Sequence, residues 1–254
     1  MTRLLAIARA TLAEAIRHRI LYLLLVFAVA LIALSRYLTL LTVGEDAKIM
    51  KDVGLSAINV FGLLITLFVG VGMLFRDMER RTVQVTLSTP TARWEYVLGK
   101  FAGLAAAITL NTLLMALALA VALFARGAFE PRLLVAVFSL WIELLFLVAA
   151  AVFFCSFATP IFASLFTAAT YVVGHLLWSL PLLEQRLEPG AFRALVHAAY
   201  LLLPNLEFGD FRTAAVHGLP IDPGRVAGAA VYELAYAAAL LGAACLAFRR
   251  RDLV

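Results

Sequence analysis

Six apolar runs, each 23 to 26 residues long, constrain this chain more than anything else in it: Ile20–Thr42, Val53–Phe75, Phe101–Ala125, Leu133–Ala158, Pro160–Leu183 and Val226–Phe248. A helix rises about 1.5 Å per residue and the hydrocarbon core of a bilayer is about 30 Å thick, so about 20 apolar residues cross it. Inside lipid the backbone has no water to bond to, and continuous apolar runs of this length satisfy it as helices. Composition agrees: 64% of residues are hydrophobic and mean hydropathy is +0.99, well beyond the roughly 45–50% apolar usage of soluble domains. The expected fold is an all-α integral membrane protein with six transmembrane helices. Without internal repeats or a low-complexity tail, residues 1–254 are expected to form one membrane domain.

Ahead of the first run, Met1–Arg19 places Leu4, Leu5, Ala8, Leu12, Ala15 and Ile16 on one helical face and Arg3, Glu14, Arg17 and His18 around the other, with Ile7 the exception. Such a basic amphipathic helix suits the membrane interface, or is a solvated lead-in to the first span. The apolar run behind it is too long for a cleaved signal. Between spans four and five only Ala158-Thr159-Pro160 intervenes, so those helices are expected as tight antiparallel neighbours. Glu184–Arg225 is the other large connector. Within it Gly190–Leu203 is amphipathic, sets Phe192, Leu195, Val196, Ala199, Leu202 and Leu203 against Arg193, His197 and Tyr200, and stops at Pro204-Asn205.

The charges orient the spans. With both termini inside, 12 Lys and Arg face the cytoplasm and nine the opposite side. Acidic residues leave the inside at +7 and the outside neutral, so Arg76–Lys100, which holds Arg76, Arg80, Arg81, Arg93 and Lys100 with Asp77, Glu79 and Glu95, is expected to be cytoplasmic. Here Ser88-Thr89-Pro90 reads as a helix start, with Pro90 at the first helical position. A short helix near Asp77–Leu87, a break and a second helix running through Lys100 are expected.

Glu79-Arg80-Arg81-Thr82, followed by Leu87, Pro90, Arg93 and Leu98-Gly99-Lys100, resembles the Glu-x-Gly-Thr…Leu…Pro…Arg…Leu-Gly-Lys pattern of ABC-2 type (type V exporter-like) ABC transporter permeases, including the subfamily associated with multicopper enzyme maturation. Arg81 stands where that family often has Gly. Leu203-Pro204-Asn205-Leu206 and the basic end Phe248-Arg249-Arg250-Arg251-Asp252 are similar to its later landmarks, so the resemblance runs along the whole chain in order. It implies a coupling helix in Arg76–Lys100 that docks on a separate ATP-binding subunit, with Glu79, Arg80, Arg81, Thr82, Pro90 and Arg93 as docking residues. It further implies re-entrant or interfacial external helices between the last two spans, a second copy of the permease, and a bacterial inner membrane with its lipid as the setting. ATP and Mg²⁺ would belong to the partner. No nucleic-acid partner is implied.

The chain itself is not expected to be an enzyme. Gly99-Lys100 superficially matches the end of a P-loop, but Trp94 stands five before Gly99 and Phe101 replaces the Ser or Thr that would hold Mg²⁺. No cofactor is therefore assigned to this chain. Glu143, near the middle of the fourth span, and Glu233, in the outer third of the sixth, are costly to bury charged and must face a cavity, a partner or a proton. Each is either a substrate-pathway or proton-linked residue, or a neutral, hydrogen-bonded glutamate at a subunit or helix interface. His175 and Asn111 are weaker pathway candidates, for which interhelical hydrogen bonding is the plainer reading. A metal site from His175, Glu143 and Glu233 would need three helices to converge, and nothing in the spacing requires that; no metal site is expected. Cys155 and Cys245 sit in apolar runs and read as small core residues. Trp94 and Trp178 fit interfacial aromatic belts, whereas Trp141 lies too deep and reads as packing. Gly62, Gly70, Gly72, Gly99 and Gly103 permit close helix approach.

The function expected is therefore that of a membrane permease subunit driven by a separate ATPase, exporting a substrate the sequence does not specify. Two alternatives use Glu143, Glu233 and His175 differently: a polytopic membrane enzyme, against which stands the lack of a clustered catalytic motif, and a proton-coupled carrier, against which stands the lack of a broken-helix repeat.

Overall fold

The computed structural model describes residues 2–38, 46–79, 92–187 and 190–249, and the regular elements among them are all helical. Helix α1 (Thr2–Ile16) meets α2 (Arg19–Leu38), the first span, at a 60° bend. The second span is α3 (Asp46–Ile65), a π-helical segment Thr66–Val71, and α4 (Gly72–Glu79). Helices α5 (Arg93–Phe124) and α6 (Arg132–Cys155) form the third and fourth. The fifth is α7 (Pro160–Leu176), interrupted by a 3₁₀ turn at Leu177–Ser179 before α8 (Leu180–Arg186). After α9 (Ala191–Leu202) and α10 (Arg212–His217), the sixth span is α11 (Pro223–Arg249). Five of these stretches are long and apolar enough to cross a membrane individually, and six when the bent α1–α2 pair counts as one.

Helix α6 sits at the centre because, Ser139 and Glu143 apart, its buried side chains are apolar on every side. It packs against α11, α5, α7, α3 and the π segment, burying Ile142, Leu144, Phe146, Leu147 and Ala149 through Ala151. The outer helices instead show apolar side chains outward, such as Phe27 on α2, Leu117 on α5 and Ile161 on α7. That surface is stable against lipid chains rather than water. Trp141 is anchored as well as packed: its indole Nε1 donates to Thr109 Oγ1 at 2.8 Å. Trp94 and Trp178 are exposed, as belt residues require. Cys155 is buried and Cys245 half-buried, and neither is in a disulfide.

Three local expectations are corrected. Ile7 is no exception on α1, because α1 lies along α5 and Ile7 is in the contact. A Cβ on Gly99 would come 2.8 Å from the Cβ of Ile7, and one on Gly103 would come 2.6 Å from the Ala8 carbonyl oxygen. Gly70 and Gly72 mediate no close approach, since a Cβ on either meets nothing within 4 Å. They lie in and beside the π segment, where the hydrogen-bond ladder is re-registered. The helix carrying Lys100 begins at Arg93 rather than Pro90, because Ala92 is extended and its N–H donates to the Glu95 carboxylate at 3.0 Å. Arg80, Arg81, Thr82, Ser88, Thr89 and Pro90, and the short helix expected over Asp77–Leu87 beyond Glu79, lie outside the described residues.

Candidate functional site

Glu143 lies 11 residues along α6 from Arg132, about 16 Å down the helix axis, and its side chain is buried. His175 is near the end of α7, and its Nε2 stands 3.0 Å from Glu143 Oε1. Its other nitrogen, Nδ1, stands 3.3 Å from Glu207 Oε2. The imidazole is thus held between two carboxylates from different elements, with the Tyr171 ring packed edge-on at 4.7 Å between centroids.

Glu207 reaches this depth because the connector after α9 dips into the bundle. Leu206 is fully buried, and it fits because residue 174 has no side chain: a Cβ there would come 2.6 Å from Leu206 Cγ and 3.1 Å from the Pro204 carbonyl. The Leu206–Gly209 turn then packs against α6, α7 and α11. Asn205 N–H donates to the Tyr232 hydroxyl oxygen on α11 at 3.0 Å, fixing its approach.

Directly after the turn, Asp210 binds the Arg212 side chain at 3.0 and 2.6 Å, and its Oδ1 also accepts from the Arg212 backbone N–H at 2.9 Å. Burial pushes the Asp210 carboxyl up, but the guanidinium more than offsets it and holds the group below the ordinary carboxylate range. Burial opposes the charge of Arg212 too, and Asp210 beside it again prevails, so Arg212 stays a fixed cation. One ligand atom each from His175, Glu207 and Asp210 lies within 4.8 Å of the others.

Glu233 is buried on α11 with Oε1 against Gly209, and its Oε2 has no hydrogen-bond partner. It therefore sits behind the turn that carries Glu207. Asn111 is not brought into this cluster. Its Nδ2 donates to Met115 Sδ on the same helix at 3.2 Å and its Oδ1 has no hydrogen-bond partner, so among the described residues the interhelical bond expected of it is not formed. The convergence of Glu143 and His175, which the spacing did not require, is real. Glu207, Asp210 and Arg212 are the site residues sequence reasoning missed. The available signals were Gly174 beside His175 and the Asp-x-Arg spacing after a Pro-Asn stop.

Arg93 lies apart from this cluster, at the opposite end of the long helices. Its Nη1 donates to the Phe248 carbonyl at 3.1 Å, and Tyr96 stacks on the Phe248 ring at 5.7 Å. The first turn of α5 is thereby tied to the last turn of α11. The side chain of Glu79 is outside the described residues.

A multi-pass helical membrane protein with a buried ionisable cluster inside its bundle is the class these features define. The family model described as "ABC-2 family transporter protein" matches residues 5–253, and the chain belongs to that family. It is a permease subunit of an ABC transporter, and this family of membrane subunits, not ATPases themselves, generally works with a separate ATPase. Among curated proteins, none matches the chain.

Proposed function

We propose that this chain is the membrane half of an ATP-driven exporter, in which two identical copies form the translocation unit in a bacterial inner membrane with both termini in the cytoplasm. Two ATPase subunits, which hold the ATP and Mg²⁺, dock on Arg76–Lys100 through Glu79, Arg80, Arg81, Thr82, Pro90 and Arg93. The observation that carries this reading is the family match over residues 5–253, joined to a charged connector between the second and third spans. Twelve basic residues on the connector's side against nine on the other support its orientation.

Closure of the ATPases would move the connector, and the Arg93–Phe248 tie would pass that motion to α11 as well as to α5. Glu143 and His175, with Glu233 behind them, would then line the path or set its polarity; Asn111 is the remaining pathway candidate, on α5. Co-purification of the permease with the ATPase encoded beside it, followed by ATPase assays in lipid, tests the reading.

A proton-coupled carrier is the second reading, favoured by the Glu143–His175–Glu207 chain. Substrate movement driven by a pH gradient without ATP would select it.

A further inference from the structure

We propose that His175, Glu207 and Asp210 form a divalent transition-metal site of the zinc class, oriented by Glu143. The inference stands on this chain's own residues and does not depend on the exporter reading.

When His175 donates Nε2–H to Glu143 Oε1, at 3.0 Å, the Nδ1 lone pair is free and directed to the side where Glu207 stands at 3.3 Å. A carboxylate fixing one imidazole nitrogen so that the other can ligate is the arrangement that supports histidine ligands in metal sites. One nitrogen and two carboxylate oxygens already lie within 4.8 Å of one another, and zinc accepts this donor set at about 2.0–2.2 Å. An inward shift of the Glu207 side chain, which is 42% exposed, closes the gap and leaves a coordination position open toward the surface.

Charge supplies a second, independent argument. Glu143, Glu207 and Asp210 bring three carboxylates together around one imidazole, and Arg212 pairs with only one of them. Glu143 is buried and His175 and Asp210 are largely so, where an unpaired charge is costly, while Glu207 stands partly exposed at the edge of the cluster. A divalent cation at the Nδ1 side of His175 would answer the two carboxylates that Arg212 does not. Both Asp210 oxygens accept from Arg212, so ligation by Asp210 replaces one of the two Arg212 Nε contacts, and the Nη2 and backbone N–H bonds keep the carboxylate oriented, as outer neighbours of ligating carboxylates commonly do.

The test uses the purified full-length permease, stripped with a chelator and titrated with Zn²⁺ by calorimetry, and separately with Co²⁺ by visible absorption. The expected result is one Zn²⁺ per chain and a Co²⁺ spectrum showing four- or five-coordinate ligand-field bands. Zn²⁺ affinity should fall about 10–100-fold in Glu143→Gln, the orienting residue, and further in Glu207→Gln and His175→Gln. His197→Gln, at an exposed histidine paired with Glu184, should bind as wild type. Wild-type protein that binds neither metal at one per chain overturns the proposal. Undiminished binding in folded Glu207→Gln and His175→Gln overturns it too. The wild-type spectrum decides the matter should any variant misfold.

Discussion

Arg93 and Phe248, 155 positions apart, are joined by a 3.1 Å hydrogen bond from the Arg93 guanidinium to the Phe248 carbonyl. The acceptor is in the last turn of α11, where carbonyls have no partner within the helix and a cation is favoured by the helix dipole. Arg93→Ala should cost about 1–2 kcal/mol of stability in thermal unfolding of the purified permease, within the range for a partly exposed hydrogen bond to a charged donor. Arg93→Lys should recover part of this, because an ammonium reaches one carbonyl but lacks the guanidinium fork. Equal melting temperatures for wild type and Arg93→Ala would show that the bond contributes nothing.

The packing of α1 on α5 gives a contrast between glycines. Gly103→Val should destabilise by about 1–3 kcal/mol or more, because its side chain must displace the Thr11 and Ala8 region of α1. Gly70→Ala meets nothing within 4 Å and should be neutral or slightly stabilising, by up to about 1 kcal/mol. Thermal unfolding of the two variants side by side checks this; equal losses would contradict the close approach of α1.

How much of this was legible beforehand follows from range along the chain. The six spans could be read because each depends only on its own 23 to 26 apolar residues, and α9 because its period and its Pro204 stop are local. Glu143 and His175 could be singled out as costly residues, since burial in an apolar run is visible one residue at a time. Their meeting could not be read. Glu143 and Glu207 each lie 32 positions from His175, and they meet it through helix packing and a turn admitted by Gly174. The π segment was illegible for a similar reason, because Thr66–Val71 is as apolar as the helix around it. The helix start at Arg93 was misplaced because Pro90 is the stronger local signal, whereas Glu95 supplies the cap through Ala92.

The Asp210–Arg212 pair fixes an acid dependence. The folded Asp210 carboxyl lies below its unfolded value, so its contribution to stability is present in full above the ordinary aspartate value, about 3.9, and is lost as pH falls through the lowered folded value. Thermal stability measured from pH 7 downward should therefore show an acid limb below about pH 4 that is smaller in Asp210→Asn. An unchanged acid limb in that variant would mean the pair is not formed in solution.

Glu143→Gln keeps volume and a hydrogen-bond acceptor for His175 while removing charge. Under the pathway reading, substrate-stimulated ATPase activity and transport in liposomes should both fall, because the lost charge is one that acts on the moving substrate. Both at wild-type level would return Glu143 to a packing role.

The central claim, that an ATPase acts on this chain through Arg76–Lys100, is tested most directly by co-expressing tagged permease with the neighbouring ATPase and measuring how much ATPase co-purifies and how fast it hydrolyses ATP in lipid. Breaking a buried interfacial charge pair costs about 2–5 kcal/mol, whereas an exposed pair contributes under about 1 kcal/mol, so the two cases separate clearly. The account predicts that wild-type permease retains the ATPase. Glu79→Lys and Arg93→Glu should remain inserted and monodisperse but lose the ATPase or uncouple its activity. Wild-type co-purification and coupled hydrolysis in both charge-reversed variants would contradict it.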